Sequence, residues 1–499
     1  MSRFPLRSHP HLYEINAWAW LEKLSTRLGR LVKLTDVPDS EWDAIAARGF
    51  DIVWLMGLWE HSAEARQIEL GDPANKPLFD RVLPGWTVED VIGSPYSITE
   101  YIPDPRIGTW DSLDGVREKL RTRGVALFLD FVGNHTALDH PWTREHPEFY
   151  VQGTEADFRR DPQGFHKVES AKGPVFVALG KDPYFPAWDD VAQLNHFSPG
   201  MRAALLGEVR KIATHCDGVR CDMAMLQFNE IFERVWGPYV RDFDPPDTEF
   251  WADAHTAAPD LVLLAEAYWG TQQRLLDLGF SFVYDKGLYD AMRYQKMPEV
   301  HGQLNAALAY QKHLARFLEN HDEDRCAEAF GPERLSSVAT FMGTLPGLRF
   351  YQEAEIEGAK IHLPVALRRV AEEPANPASV AIFEKILQAT KQDVFHKGLW
   401  HVLPIASEGD DSSGNLVAWE WRLESAWKVI VVNLTGGPAQ GRISFADRPP
   451  VAQQARQYVF HDELDGASYP RNGDEIRKAG VFVRREGYQA HLFDVSSSA

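Results

Sequence analysis

The stretch Val125-Ala126-Leu127-Phe128-Leu129-Asp130-Phe131-Val132-Gly133-Asn134-His135 decides the fold. Its apolar run is broken only by Asp130, too continuous for a strand with one wet face. It fits a strand of a parallel sheet buried on both sides, closed by the polar residues Gly133, Asn134 and His135. Comparable runs lie at 12–17, 50–56, 218–223, 261–267, 280–284, 316–320 and 347–351. Amphipathic, helix-like segments such as 112–123, 201–215 and 379–392 fall between them. Runs alternating with helical spacers predict an α/β fold, a (β/α)8 TIM barrel.

The spacing is uneven. Residues 136–198, rich in Pro, Gly, His and aromatics and poor in helical period, read as an inserted subdomain after the third strand. From residue 399 the pattern changes to short strand-like runs at 416–421, 428–434, 441–445, 457–460 and 481–484, separated by Gly, Asn, Asp and Pro. Such spacing predicts an antiparallel β-sandwich. The expected division is a barrel over 1–135 and 199–398, the insert over 136–198, and a C-terminal β-domain over 399–499.

Composition narrows the function classes. The chain of 499 residues carries a formal charge of −20, with a sequence pI of about 5.4. An acidic surface repels phosphate backbones and anionic lipid, so no nucleic acid or membrane partner is expected. Cys216, Cys221 and Cys326 form neither a CxxC pair nor an even framework, and are expected as reduced thiols. The start, Met1-Ser2-Arg3-Phe4-Pro5, shows no apolar signal core, and no run of membrane-spanning length occurs, so a cytoplasmic protein is expected. Monomer and homo-oligomer both remain open.

In a barrel, function gathers where the strands end at their C-terminal side. The third run ends in Asp130 and His135, and the fourth reads Gly218-Val219-Arg220-Cys221-Asp222. The fifth reads Leu264-Ala265-Glu266, and the seventh Phe317-Leu318-Glu319-Asn320-His321-Asp322. Four strand ends thus present carboxylates, two His and an Arg toward one place. Uncompensated charges on apolar strands are costly, so their convergence points to a working site. Paired carboxylates with an Arg suit glycoside transfer with retention: one attacks, and the other protonates the leaving oxygen from roughly 5–5.5 Å away. Arg220 and Asp222, two apart on a strand, share a face.

Taken together, these segments resemble the four conserved regions of the α-amylase superfamily, glycoside hydrolase family 13. DFVGNH (130–135) matches its D-x-V-x-N-H, GVRCD (218–222) its G-x-R-x-D, Glu266 its strand-five Glu, and ENHD (319–322), continuing to Arg325, its N-H-D. Asp190-Val191-Ala192-Gln193-Leu194-Asn195 resembles the region ending in Leu-Asn. The resemblance implies Asp222 as nucleophile, Glu266 as general acid and base, and Asp322 as the carboxylate holding sugar hydroxyls in the strained state. It implies substrate contacts for Arg220, which would also keep Asp222 ionised, and for His135, His321, Arg325 and the stacking Tyr96. Asp130 is expected to support Arg220, and Asn134 either to bind calcium or to brace the insert.

Departures from the family pattern narrow the substrate. Met223-Ala224-Met225 stands where many members carry Lys-His, and Pro95-Tyr96-Ser97 where Gly-Tyr-Asp is usual. The first change weakens both a polysaccharide reading and a calcium prediction; no cofactor is required. Insert aromatics Trp142, Phe149, Tyr150, Phe165, Phe176, Tyr184, Phe185 and Trp188 could wall a closed pocket. A retaining α-glycosidase acting on small α-glucosides or oligosaccharides is therefore expected. A transglycosylase, isomerising synthase or phosphorylase would use the same intermediate, with Lys286, Arg325, His362 and Arg368 as candidate phosphate ligands. A non-catalytic, carbohydrate-binding or scaffold barrel is the remaining alternative, and the three intact carboxylates stand against it.

Overall fold

The computed structural model describes residues 4–170, 173–445 and 456–498. Residues 1–3, where the stretch read for a leader begins, and 446–455 and 499 of the C-terminal β-domain lie outside the described residues.

Eight parallel strands close into a barrel: β1 (His11–Asn16), β2 (Ile52–Met56), β3 (Ala126–Phe131), β4 (Gly218–Cys221), β5 (Val262–Ala265), β6 (Phe282–Tyr284), β7 (Leu314–Arg316) and β8 (Leu348–Gln352). Their order around the ring is β1-β8-β7-β6-β5-β4-β3-β2. Every residue of β2, β3, β4 and β5 is buried, as continuous apolar runs require when helices cover the outside and side chains fill the inside.

One strand differs from expectation. The apolar run at 316–320 predicts the seventh strand, but β7 is Leu314–Arg316. Phe317 and Leu318 are buried beyond the last paired residue, with Phe317 packed 5.2 Å from Tyr284 and 5.6 Å from Phe350, centroid to centroid. The apolar signal there reports packing over the barrel mouth rather than sheet pairing.

The segment after β3 holds short helices Pro141–Glu145 and Glu155–Arg160 and a three-stranded antiparallel sheet (Gln152–Gly153, Phe165–Ser170, Gly173–Ala178). It returns to the barrel through Val191–Gln193, which pairs antiparallel with His135–Ala137. After the helix Val394–Lys397 come a six-stranded and a three-stranded sheet. Alternation along Leu416–Leu423 explains their placement. Leu416 and Ala418 join Val429, Phe460, Ile443 and Val483 in a core shared by both sheets. Trp419 and Trp421 point the other way, onto the barrel, where the Trp421 indole donates to Thr344 O at 2.7 Å.

All three cysteines are free and buried. Among the described residues no helix is long and apolar enough to cross a membrane.

Candidate active site

Arg220 sits at the centre. It is 1% exposed, and its guanidinium is divided among the carboxylates that end neighbouring strands. Nη1 donates to Asp222 Oδ1 at 2.7 Å, and Nη2 lies 2.8 Å from Glu266 Oε2 and 3.7 Å from Asp322 Oδ2. Nε reaches Tyr284 Oη at 3.4 Å, and the rings of Tyr96 and Trp54 lie 5.2 and 5.6 Å from its central carbon. A lone buried guanidinium would be costly; here three carboxylates and aromatic faces offset the loss of water. The three expected carboxylates are thus brought to one cation.

The carboxylates are not equivalent. Glu266 Oε2 accepts from Met223 N–H at 2.7 Å and Oε1 accepts from Tyr268 Oη at 2.7 Å. Burial pushes its carboxyl up to about 7; Arg220 pulls it down, and Asp222 and Asp322 push it further up. Burial also pushes Asp222 above the ordinary carboxylate range, and Arg220 pulls it back. Its ionised form is favoured chiefly by Arg220, with His321 adding to the pull. Asp322 stands apart, with a side chain 44% exposed and its backbone N–H held by Asn320 Oδ1 at 2.9 Å.

His321 is enclosed by acids and aromatics. Nδ1 meets Glu14 Oε1 at 2.5 Å; Nε2 lies 2.7 Å from Tyr96 Oη and 3.2 Å from Asp322 Oδ2. The Tyr96 and His321 rings stack at 5.3 Å. Burial alone would depress the imidazole, but Asp322 and Glu14 raise it to about 9, so it carries charge at neutral pH. Sequence reasoning missed Glu14. The signal was present as a single acid inside the first apolar run, on the same strand face as Leu12 and Asn16. It also missed Tyr268 as a partner of Glu266.

The remaining expected residues have partners of their own. Asp130 makes no direct bond to Arg220 among the described contacts. It accepts from Trp54 Nε1 at 3.2 Å and from Gly57 N–H at 2.9 Å, supporting Arg220 through the Trp54 ring and the field it shares. Burial raises its carboxyl to about 7 against the pull of Arg220. Arg325 does not join the cluster: it is consumed by Glu319, by Gln352 Oε1 at 3.0 Å and by Glu353 O at 2.8 Å. His135 is neutral, depressed by burial to about 4, and its ring contacts run to Asn134 Nδ2 at 3.3 Å and to the Tyr96 backbone, with Trp188 packed at 5.4 Å. The proposed phosphate ligands are also engaged elsewhere: Lys286 with Asp290 and Glu323, Arg368 with Glu22 and Asp90, and His362 with His321 O.

Asn134 clasps Gln193 of the insert in both directions, Nδ2 to Oε1 at 3.3 Å and Oδ1 from Nε2 at 3.0 Å. Its oxygens already face an amide, and among the described residues no group of three His, Cys, Asp or Glu could hold a metal ion.

Two rims flank the centre. In the ring order β5 lies across from β1, which β8 and β2 flank. The loops after β2 and β8 meet on that far side. Val91 bridges Leu367, Ile92 N–H donates to Ala366 O at 2.8 Å, and Arg369 clamps Asp90 at 2.5 and 2.9 Å. Phe79, Val82, Leu83, Val91, Ala366 and Leu367 form a small core of their own beneath them. On the β5 side Trp269, at φ +58°, and Tyr184 from the insert meet edge to face at 5.0 Å, exposed by 39% and 61%. Buried Asp182 holds that insert turn by accepting from Tyr184 N–H at 2.6 Å and Phe185 N–H at 2.9 Å.

No family model matches the chain. Among relatives, the α-amylase 3 of Dictyoglomus thermophilum is 24% identical over 306 residues, 53% of this chain and 54% of that protein. The α-glucosidase of Culex pipiens is 22% identical over 395 residues, 69% of this chain and 62% of that one. An α-1,4-glucan:maltose-1-phosphate maltosyltransferase of Streptomyces coelicolor is 27% identical over 238 residues, 45% of this chain and 28% of that one. The chain thus spans less than two thirds of the length of each. The fold is shared with a maltogenic α-amylase from Thermotoga neapolitana, with a TM-score of 0.68, 17% identity and 99% of both chains covered. It is also shared with an α-amylase from Geobacillus thermoleovorans solved with acarbose, with a TM-score of 0.65, 16% identity, and 99% and 100% covered.

Proposed function

We propose, since this chain belongs to the α-amylase superfamily, that it acts on α-glucosidic bonds with retention, through a covalent glycosyl-enzyme. The observation that carries the reading is the sharing of Arg220 between Asp222 and Glu266, at 2.7 and 2.8 Å, with Glu266 held near neutrality at about 7. Retention needs one ionised and one protonated carboxyl side by side: Arg220, bonded to Asp222, and His321 pull Asp222 toward its ionised form, while burial and the neighbouring acids hold Glu266 at about 7.

Asp222 attacks the anomeric carbon while Glu266 donates its proton to the departing glycosidic oxygen. The C–O bond breaks, and a glycosyl ester forms on Asp222. The new Glu266 carboxylate rests on Arg220 and Met223 N–H, then takes a proton from the acceptor hydroxyl as that oxygen displaces Asp222. Asp322, exposed beside charged His321, binds hydroxyls of the distorted ring. Tyr96, held by His321, offers its face to the sugar.

The substrates are small α-glucosides or oligosaccharides. The support is the rim on the β1 side, where Asp90 and Arg369 join the two loops, and the exposed Tyr184–Trp269 pair, next along the chain to Tyr268, which donates to Glu266. Transfer to a sugar hydroxyl is the second reading. The exposed Tyr184–Trp269 pair favours it, because it offers a sugar acceptor a place beside the base. Phosphorolysis has less support, as Lys286, Arg325, His362 and Arg368 are all engaged. Free, buried thiols support a cytoplasmic setting.

The test is NMR of the anomeric proton of the glucose released from an aryl α-glucoside and from maltose. Retained α-product, lost in Asp222→Asn, is expected; β-product, or activity that survives the substitution, overturns the mechanism.

A further inference from the structure

Gln193 is fully buried at the junction of the insert with the barrel, paired in register with His135. Its Nε2 faces three oxygens: Asn134 O at 2.9 Å, Asn134 Oδ1 at 3.0 Å and Leu194 O at 3.1 Å. An amide NH2 has only two protons, so more acceptors converge than it can serve. Several carbonyl oxygens gathered around one point is how proteins surround a hard cation. The neutral amide stands at that point.

The arrangement also fixes orientation. Only the NH2 end of Gln193 can face two backbone carbonyls, so its Oε1 must point at Asn134 Nδ2, 3.3 Å away. Asn134 is oriented in turn: its Oδ1 accepts and its Nδ2 donates. Nδ2 reaches His135 Nδ1 at 3.3 Å and can only donate to it. The imidazole proton therefore sits on Nε2, and the Tyr96 backbone is the ring's other hydrogen-bonding neighbour. One buried side chain thereby orders a line running from the insert through Asn134 and His135 to the loop that bears Tyr96.

We propose that Gln193 does at this junction, without a metal, what a bound cation would do: it gathers the oxygens of β3's loop and the insert, and positions His135 and Tyr96. The positioning half rests on the reading of the site given above; the cation half does not. Gln193 is a positioning residue, touching no substrate.

Two substitutions test it. Gln193→Glu turns the cluster into oxygens alone, which repel unless a cation enters. Gln193→Met keeps the volume and removes both polar ends. Melting is followed for the full chain in EDTA and in millimolar CaCl2, with no substrate present. The wild-type midpoint is expected to be the same in both. The Gln193→Glu midpoint is expected to fall by several degrees in EDTA and to recover with CaCl2. A wild-type midpoint that falls in EDTA and recovers with CaCl2 overturns the proposal, as does a Gln193→Glu protein indifferent to CaCl2. For the positioning half, nitrogen-15 spectra of the imidazoles should show His135 as the Nε2–H form in wild type and a mixture in Gln193→Met, with kcat on maltose down roughly tenfold. CaCl2 should restore kcat in Gln193→Glu. Unchanged spectra and unchanged kcat in Gln193→Met overturn it. The melting arm reads no activity, so it stands or falls apart from the assignment of the reaction.

Discussion

Glu14 on the first strand accepts a hydrogen bond from His321, beyond the seventh, at 2.5 Å across the barrel mouth, and both side chains are buried. Asp322 and this pair together raise the His321 imidazole, which in turn holds Tyr96. Removing one partner of a buried pair leaves the other without compensation, at a cost of about 3 kcal/mol. Glu14→Gln is therefore expected to lower stability near pH 7 by that order and to reduce the charged fraction of His321. The folded imidazole titrates at about 9 against an ordinary 6.5. Its contribution is complete below about 6.5 and is lost as pH rises through about 9. Chemical denaturation at pH 6, 8 and 10 should show wild type losing stability across that window and Glu14→Gln, which keeps Asp322 beside His321, losing less. Parallel pH curves would contradict it.

Glu266 must hold a proton to help the leaving group depart, and burial places its titration at about 7. On maltose, kcat/KM should fall as pH rises through that value. A dinitrophenyl α-glucoside, whose leaving group needs no proton, should show a flatter alkaline limb. Glu266→Gln should cost on the order of 10³-fold on maltose and far less on the activated substrate. Equal losses on both would remove Glu266 from the acid role.

Trp269 and Tyr184 form an exposed edge-to-face pair beside Tyr268, which itself donates to Glu266. Trp269→Ala should cost about 1 kcal/mol in binding on the leaving-group side, roughly a fivefold drop in kcat/KM for maltotriose. The aryl glucoside, which does not extend that far, should be little changed. The ratio of transfer product to free glucose at high substrate should fall as well, as chromatography can read.

Asp90 is 2% exposed and receives both arms of Arg369, so their pair fastens the loop after β2 to the loop after β8. The Arg is partly in water, so the loss in stability should be modest, about 1 kcal/mol. Specificity is the sharper readout. Asp90→Ala should relax the closed rim and raise the relative rate on longer oligosaccharides over maltose. If chain-length preference does not move, the clasp is not what limits the pocket.

Much of the site was legible along the chain. Asp222, Glu266 and Asp322 each follow an apolar run, and a barrel places whatever follows a strand at one mouth. Local pattern therefore sufficed to bring them together, and Arg220 came with Asp222 because strand residues two apart share a face. Arg325 shows where this reasoning stops: it follows the same strand end, yet it turns to Glu319 and Gln352 because those buried acceptors lie nearer than the site.

By itself the sequence determined the barrel, the carboxylates at its mouth and the chemistry they suit, since strand periodicity and residue type are local properties. The tertiary structure alone decided the pairings: Glu14 with His321 across 307 residues, Asp90 with Arg369 across 279, and Asn134 with Gln193 across 59. Those pairings tie distant segments together, and the first of them helps raise the His321 imidazole. Each depends on loops meeting in space, and burial acts on a group only once the chain has closed around it.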